Sequence, residues 1–480
     1  RGGGRGGGGR DGRHDRQGEE VEVSVGRFLA GAVVLSLLLV PVPVRAEAPT
    51  PRVLVLLVPL AGSAEAPEPL VGEGLMDLLA WGMGRTFGLQ LTESRVVVAA
   101  LEAHQSTWGA PVRPAVAADV VRSLGADAAL LGTFRLEEER LTLGATFLDL
   151  RGAGVREGAF PETAVPWAEG SRALERMVRA LATFLGVNLG PAGERRLSQA
   201  FQRSTPSVAA LRRYAAGRAA VRAGTGEGLE QAADAFAQAG EIDPAFGLAF
   251  FRQGEAHEAA SSRWRAAGAY RRAIHVDPAF AEAYKALGDL LAKSPRRLYE
   301  QAVEAYGKAV EADPDYADAY VGLGDALSAT GRFDEAIREY RRGLGIDPLN
   351  PRVHYSLARI LYTEKGLYHE AVEAYQRALA LEPAFVEAHI GLGDLYEEKG
   401  LYREAIVTYR KALALKPKHP GALYALALAY EKVNPKEAVA RWEEYIKVAS
   451  ELPGEKEWID IAEQHLKKMR QKATEQEKRR

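Results

Sequence analysis

Alanines and aromatic residues recur along residues 206–453 at a regular interval, and the apolar positions fall at helical rather than strand spacing. An alanine stands twelve residues before each of six prolines, and an aromatic residue stands eight before it. Intervals of 34, 36, 34, 35 and 34 residues separate these prolines: Pro244, Pro278, Pro314, Pro348, Pro383 and Pro417. A fixed period of this length predicts a stacked array of helix pairs, in which small residues let helices approach and the aromatic rings fill the gaps.

The breaks between helices follow the same period. Gly331 in GRFDEAI and Gly400 in GLYREAI separate the two helices of a pair, and each proline stands where the next pair begins. This pattern closely resembles the tetratricopeptide repeat family. The resemblance implies six to seven helix pairs over residues 206–453, wound into an all-α superhelical solenoid. Its inner wall would be made mainly by the first helix of each pair and would bind other proteins.

Residues 50–190 show a different pattern, in which short apolar runs alternate with helical stretches. The predicted elements are strand Val53–Leu60, helix Leu70–Gly88, strand Arg95–Ala99, helix Arg113–Gly125, two strands joined at Glu137–Arg140, and helix Ser171–Val187. This order predicts a small α/β domain. The segments EGLMDLL, VVRSLGADAALLGTF and RLTLGATFLDLRG are similar to the TolB amino-terminal-like domains of bacterial envelope proteins. That resemblance implies a cell-envelope adaptor rather than a catalyst.

Residues 1–46 are predicted to be a leader. Residues 1–20 are rich in Gly and Arg, and we interpret them as a disordered or wrongly assigned start in preference to an RNA-binding tail. Arg27, the apolar run Phe28–Val40 and Ala46 then form the pattern of a secretory signal cleaved after Ala46. The run is shorter than the roughly 20 residues that span a bilayer. We therefore expect export to the periplasm or cell envelope; the alternative is an uncleaved anchor, the one segment expected to contact a membrane.

Composition and motifs argue against several classes of function. The net charge of −2 disfavours a surface built to hold nucleic-acid phosphates, and the absence of Cys excludes disulfides and thiolate sites. Gly72–Gly74 lacks the third glycine of a dinucleotide fingerprint because Asp77 stands there, and the helix at His257 lacks the second His of a zinc motif. We expect no catalytic residue, no metal and no cofactor. A polar pocket near Asp119 or Asp127 in the α/β domain would instead favour an enzyme.

The candidate partner-binding surface is the inner wall of the repeat array. Family geometry implies that the residues 4, 7, 11 and 14 positions after each proline line this wall. Among them are three tyrosines, Tyr355, Tyr362 and Tyr424. Two interpretations stay open: an acidic groove for a basic segment, or acids that stabilise the positive ends of helices. The sum of charges is −7, from ten acids and three bases: Glu255, Glu258, Glu282, Asp289, Asp318, Asp325, Glu387, Asp394, Glu397 and Glu431, with Lys285, Arg352 and Arg359.

Residues 454–480 are predicted to form a capping helix with a basic tail, because one apolar face recurs along them: Trp458, Ile461, Ala462, Leu466 and Met469. The predicted fold is thus a small α/β domain followed by an all-α solenoid. The expected function is an exported scaffold or adaptor for protein–protein interactions in the bacterial cell envelope. An accessory subunit of an envelope assembly or secretion complex is the alternative. We expect a protein or peptide partner with a basic segment and no nucleic acid; the oligomeric state stays open.

Overall fold

Five strands form a mixed β-sheet at the amino-terminal end of the computed structural model, which describes residues 52–59, 69–84, 90–92, 94–106, 112–294, 298–452 and 456–478. The leader predicted over residues 1–46 lies outside the described residues. The strands lie in the order β2–β1–β3–β4–β5, with β1 parallel to β2 and β3, and β4 antiparallel to β3 and β5. They are β1 (Arg52–Pro59), β2 (Gln90–Leu91), β3 (Ala128–Glu137), β4 (Arg140–Asp149) and β5 (Arg156–Pro166).

Helices cover both faces of this sheet. Alternate residues of β3 and β4, such as Leu130 and Leu143, share one hydrophobic core with two of the helices, while Leu131 and Leu148 share another core with the other two. The predicted small α/β domain is thereby confirmed. The first core is covered by α1 (Pro69–Gly84) and, after a 3-10 turn at Trp167–Glu169, α4 (Gly170–Leu185); the second is covered by α2 (Ser94–Ala103) and α3 (Pro114–Ser123).

The strand predicted at Arg95–Ala99 is wrong. These residues belong to helix α2, in which Val97 and Leu101 are buried whereas Val96 is 44% exposed. Three consecutive valines favour a strand by propensity, but burial of two residues one helical turn apart follows the period of a helix. The strand that pairs with β1 on this side is instead Gln90–Leu91.

Strand β5 and helix α5 (Gly190–Gln202) have no counterpart among the predicted elements. β5 lies at the edge of the sheet, contains Pro161 and is largely exposed on both faces. Its sequence therefore lacks the apolar alternation that marks a half-buried strand. α5 lies between the sheet and the array, and it buries Leu197, Ala200 and Phe201 along one side.

Seven helix pairs follow within residues 208–449, each with a first and a second helix. They confirm the predicted all-α solenoid. None of the described helices is both long and apolar enough to cross a lipid bilayer. The pairs are α6 (Val208–Ala223) with α7 (Gly226–Ile242), α8 (Gly247–Ala259) with α9 (Arg263–Val276), α10 (Ala281–Ala292) with α11 (Tyr299–Ala312), α12 (Ala317–Ala329) with α13 (Phe333–Ile346), α14 (Pro351–Thr363) with α15 (Tyr368–Leu381), α16 (Val386–Glu398) with α17 (Tyr402–Leu415), and α18 (Pro420–Val433) with α19 (Pro435–Ala449).

The recurring glycines and aromatic residues explain how the two helices of a pair pack. In the pair α12–α13, Gly324 lies directly beneath the ring of Tyr340, and a Cβ atom at Gly324 would come within 2.6 Å of that ring. The small residue of one helix and the large residue of the other therefore interlock. The aromatic side chains at the equivalent position of other pairs are also fully buried: Phe236, Tyr270, Tyr375 and Tyr409.

Helix α20 (Lys456–Lys478) closes the array after the last pair. Ala462, Leu466 and Met469 are buried in one core with α18 and α19, as the sequence predicted. The first turn of the predicted apolar face is different, because Trp458 is 51% and Ile461 38% exposed. The reason is geometric: α20 lies on α19 through its middle turns, and no further helix follows it among the described residues to cover its start.

Candidate partner-binding groove

The first helices of the seven pairs form the concave side of the array. Successive first helices, such as α10 and α12 or α14 and α16, approach each other more closely than successive second helices do. The array therefore curves with its first helices inside, as expected of a solenoid of this kind. We call this concave side the groove. Its covered section comprises α6, α8 and the start of α10, and its open section comprises α12, α14, α16 and α18.

Tyrosines from the second helices hold several of the predicted groove acids in place. Their hydroxyls donate hydrogen bonds to carboxylates on the first helix of the same pair. Since these tyrosines are also the buried rings of each pair, the acids belong to the packing of the pair as well as to the groove wall. The bonds run from Tyr270 to Glu258 (2.9 Å), Tyr306 to Asp289 (2.6 Å), Tyr340 to Asp325 (2.5 Å) and Tyr409 to Asp394 (2.7 Å).

The surroundings of three groove aspartates differ in charge. The Lys285 ammonium lies 2.8 Å from Asp289. Asp325 and Asp394 reach solvent, yet the partial burial of their carboxylates raises the pKa of both. At Asp325 the hydrogen bond from Tyr340 and then the positive charge of Arg359 oppose this rise in pKa. At Asp394 the opposing group among the described residues is the Tyr409 hydroxyl alone. Asp394 is thus the aspartate of the three with the least compensated charge.

Helix α14 places a basic and aromatic stripe between acidic helices. Arg352 and Arg359 are exposed, and Arg359 stands at the position that holds aspartate in α10, α12 and α16. Tyr355 is half-buried, and the Tyr362 hydroxyl donates a 2.7 Å hydrogen bond to Glu398. The groove is therefore not uniformly acidic, because the basic helix α14 separates the acidic helix α12 from the acidic helices α16 and α18.

Acids dominate the groove positions of α16 and α18. We call the four carboxylates at these positions the acidic end: Glu387, Asp394, Glu397 and Glu431. Burial raises the pKa of Glu397. Glu431 accepts a 2.9 Å hydrogen bond from the Trp442 indole and lies 2.7 Å from His465 of α20. Asp318 stands apart from this group, exposed at the start of α12, where it is suited to stabilise the positive end of that helix.

Tyr424 lies at the carboxyl-terminal mouth of the groove. It is half-buried and meets three other rings edge-on. Such edge-to-face contacts hold aromatic rings in a fixed orientation. Tyr424 is therefore a rigid element of the wall, and the rings around it are Trp442, Tyr445 and Trp458, with centroids 5.1, 5.3 and 5.6 Å away.

Helix α1 of the α/β domain fills the covered section of the groove. Gly217 of α6 lies beneath the Phe236 ring as Gly324 lies beneath Tyr340, so α6 is in register with the other first helices. Tyr214 and Arg218 therefore occupy groove-lining positions. Both contact Asp77 of α1: the tyrosine hydroxyl donates a hydrogen bond to its carboxylate, and Arg218 lies 3.1 Å from it.

The contact extends onto the second pair. The Arg252 guanidinium donates to both carboxylate oxygens of Asp77 at 3.0 Å and lies 5.1 Å from the centre of the Trp81 ring. Trp81 in turn packs against Phe251 and Phe280 at 5.3 and 5.8 Å. Burial alone would raise the pKa of Asp77, but the two arginines outweigh it and hold that pKa below its usual value. The first section of the groove thus holds a helix of the same chain.

The chain at and after α5 binds the loops that connect successive helix pairs. Each contact uses the aspartate that precedes one of the repeat prolines. The contacts therefore form a ladder with one rung for each of three pairs. Its rungs are the Thr205 hydroxyl to Asp243 at 2.5 Å, the Arg203 guanidinium to Asp277 at 2.5 Å, and Arg196 to Asp313 at 3.7 Å.

Two predicted groove residues lie in the covered section, and the first of them, Glu282, needs correction. Glu282 is only 8% exposed and lies 3.5 Å from Arg203, so it faces the α5 region rather than open solvent. Glu255 forms a 2.7 Å ion pair with Arg252, the same arginine that holds Asp77. Offsets from the prolines place both residues on first helices, but they carry no information about which helices the α/β domain covers.

Asp119 is exposed and pairs with Arg122 at 2.8 Å. Besides Asp77, a buried carboxylate of this domain is Asp149, whose pKa is held low first by the hydrogen bond from Arg151. The pKa of Arg151 is raised, first by its hydrogen bond to Asp149 and to a smaller extent by the negative charge of Asp127. No group of three or more His, Cys, Asp or Glu side chains is placed to hold a metal ion in the part of the chain that the structure describes.

Comparisons with known proteins bear on the second half of the chain. Residues 296–360 match a family model described as tetratricopeptide repeat, and residues 361–400 and 393–434 match one described as TPR repeat. Residues 296–434 are tetratricopeptide repeats. This part of the predicted resemblance is confirmed, and the repeat fold supports a scaffold for protein–protein interactions. No curated protein sequence matches the chain.

Several solved structures are similar to parts of the chain. MamA is 28% identical, with 34% of this chain and 95% of MamA covered and a TM-score of 0.32. YrrB, described as a TPR protein with an unusual peptide-binding site, is 22% identical, with coverages of 40% and 98% and a TM-score of 0.35. The pilF protein of Pseudomonas aeruginosa is 20% identical, with coverages of 46% and 98% and a TM-score of 0.40.

Proposed function

We propose that this chain is a non-catalytic scaffold that binds a protein or peptide partner in the open section of its groove. The observation that carries the proposal is the division of the groove. Helix α1 fills the covered section through Asp77 and Trp81, while the equivalent positions of α12 to α18 face solvent or are half-buried. A concave wall with exposed charged and aromatic residues is the surface on which solenoid proteins hold extended or helical segments.

The charge of the open section favours a basic segment at its carboxyl-terminal end. Asp394 and Glu397 both accept a hydrogen bond from the Tyr409 hydroxyl, and burial raises the pKa of both. A positive ligand would stabilise their charged forms. Arg352 and Arg359 on α14 favour an acidic or neutral residue in the adjoining stretch of the partner. The proposed partner is therefore not uniformly basic.

Neutralising the acidic end should weaken binding of a basic probe. We expect the double variant Asp394→Asn with Glu397→Gln to bind a lysine-rich peptide roughly three to ten times more weakly, since each exposed charge pair contributes ~0.2–1 kcal/mol. The amide side chains still accept the hydrogen bond from Tyr409, so helix content should be unchanged. Titration by fluorescence anisotropy at low and high salt measures the effect, which should shrink as salt rises.

The matched control is Asp289→Asn. This residue has the same position in its helix and the same tyrosine hydrogen bond, but its charge is already paired with Lys285. We expect it to leave the affinity of the probe nearly unchanged. The double variant removes two charges and the control removes one. A loss of binding free energy in Asp289→Asn about half that of the double variant would therefore mean that the probe responds only to net charge, and the acidic end would then not be the binding site.

We further propose that the protein is exported and acts in the cell envelope, with a subunit of an envelope assembly or secretion complex as the alternative. The apolar run Phe28–Val40 after Arg27 and the resemblance of residues 50–190 to TolB amino-terminal-like domains support this. Amino-terminal sequencing of secreted protein should find a start at Glu47. A product that keeps Phe28–Val40 and fractionates with membranes would instead indicate an anchored protein.

A further inference from the structure

Four pairs of aromatic rings line the groove, and the first ring of each pair stands at the same position of its first helix. In each pair, an aromatic residue in the middle of a first helix meets a ring at the beginning of the next helix pair or of α20. The ring pairs are Tyr214 with Phe246 (4.9 Å), Phe251 with Phe280 (5.1 Å), Tyr355 with Phe385 (5.0 Å), and Tyr424 with Trp458 (5.6 Å).

Helix α1 shows what such a ring pair binds. Trp81 covers Phe251 and Phe280, which are 5% and 0% exposed. The last ring pair lies at the corresponding place on α18, but its rings meet edge-on, at 80° rather than 34°. No described helix covers it, since Tyr424 is half-buried and Trp458 is 51% exposed. The chain therefore contains one occupied and one open aromatic surface at corresponding positions of two first helices.

The charge next to each ring pair differs in sign. One helical turn before Trp81, Asp77 of α1 contacts Arg218, which lies on the first helix preceding the ring pair. The residue in register with Arg218 beside the last ring pair is Asp394, on the first helix that precedes α18. Suppose that a partner helix lies on the last ring pair as α1 lies on the second. Its residue equivalent to Asp77 would then face Asp394, an acid, instead of Arg218.

We infer that Asp394, Tyr424 and Trp458 form a docking site for a partner helix that carries Lys or Arg four residues before Trp or Phe. The inference rests on the proposed function and deepens it by naming the ligand. Residues four apart lie on one face of a helix, so the cation and the ring reach the wall together. A cation beside Tyr424 and Trp458 also gains from their ring faces.

The third ring pair, Tyr355 with Phe385, is less suited to this ligand. The acid in register beside it is Asp325, and the positive charge of Arg359 already acts on that carboxylate. A partner Lys or Arg would meet like charge there. This difference places the site at the carboxyl-terminal mouth of the groove rather than at its centre.

Synthetic helical peptides can test the spacing and the sign of charge. Three peptides of 16 residues, the length of α1, would share an alanine–glutamine background and a single Trp. The first has Lys four residues before Trp, the second has Asp at that position, and the third has Lys two residues before Trp, on a different face. We expect the full chain to bind the first peptide about tenfold more tightly than the other two, measured by fluorescence anisotropy.

Variants of the protein then locate the site. Trp458→Ala and Asp394→Asn should each abolish the preference for the first peptide. Neither is expected to unfold the chain, because Trp458 is exposed and the amide introduced by Asp394→Asn can still accept the Tyr409 hydrogen bond. The matched control is Trp264→Ala, which removes another exposed indole, 75% accessible on the second helix α9. That variant should keep the full preference.

The outcomes separate this inference from the proposed function. If both Lys peptides bind equally well and Trp458→Ala changes nothing, the ring-pair site is overturned while an acidic groove for basic segments stands. If none of the peptides binds, and the lysine-rich probe is also insensitive to Asp394→Asn with Glu397→Gln, both proposals fail. Retention of the preference in Trp458→Ala together with its loss in Trp264→Ala would move the contact to the convex side.

Discussion

Replacing Asp77 by alanine should destabilise the protein by about 3–5 kcal/mol, the loss typical when one partner of a buried ion pair is removed. Asp77 is 6% exposed and accepts hydrogen bonds from Tyr214 and Arg252, with Arg218 3.1 Å away. Without the carboxylate, two guanidinium groups would remain between α1 and the array with much of their charge uncompensated. Urea unfolding followed by circular dichroism would measure the change in the free energy of unfolding.

The position of this network also predicts where opening begins. Hydrogen exchange in Asp77→Ala should rise first in α1, α6 and α8, because these helices carry the network. Asp119→Ala is the matched control, since it removes an exposed acid of the same domain that pairs with Arg122 at the surface, and its effect should be below about 1 kcal/mol. Equal stabilities of the two variants would show that the arginines are adequately solvated without Asp77.

The pH dependence of this contribution has a definite sign. The folded-state pKa of Asp77 is lowered below its ordinary value of 3.8. Its stabilising contribution is therefore fully present above the unfolded-state pKa and is lost as the pH falls through the folded-state pKa. Between neutral pH and mildly acidic conditions, the stability difference between wild type and Asp77→Ala should stay constant.

Replacing Tyr340 by alanine should cost about 3–5 kcal/mol, the range for large aromatic truncations in a core. The ring is fully buried over Gly324, and its hydroxyl donates a 2.5 Å hydrogen bond to Asp325. Pairs of the array contact mainly their neighbours, so the damage should begin in α12 and α13. Hydrogen exchange measured by mass spectrometry should show these helices opening before the sheet, and simultaneous opening of both halves would contradict the prediction.

Tyr340→Phe separates the ring from its hydroxyl. The ring remains over Gly324, so only the hydrogen bond to Asp325 is lost, at about 0.5–1.5 kcal/mol. A loss in Tyr340→Phe as large as that in Tyr340→Ala would mean that the carboxylate contact, rather than the filling of space between helices, holds the pair together.

The repeat array could be predicted from the sequence because its physical cause is local and recurs. Pairs such as Gly324 with Tyr340 lie in adjacent helices at a fixed spacing, and the same spacing returns in pair after pair. The helix α2 was less accessible to prediction, since three valines favour a strand and only the burial of Val97 with Leu101 decides otherwise. Leu101 is buried by residues of α3, β3 and β4, and the sequence pattern within its own segment does not reveal these contacts.

The sequence predicted which helices form the groove, but not that helix α1 fills the covered section. The offsets from the prolines place Asp394 and Tyr424 on the groove wall, and the structure agrees for both. Glu282 fails because Arg203, 79 positions earlier in the chain, lies against it. A signal for the covered section did exist: Glu73 and Asp77 are acids four residues apart in an otherwise apolar helical segment, and buried acids need a cationic partner elsewhere.

The ladder formed by α5 and the residues after it has a mechanical consequence. A solenoid held together only by contacts between neighbours extends and recoils like a spring. Arg196, Arg203 and Thr205 tie three successive loops to one continuous stretch of chain, and a stretch whose first part is helical resists elongation along its axis. Under a pulling force, the first helix pairs should therefore extend little. Most of the extension should occur in the later pairs, which contain the open section of the groove.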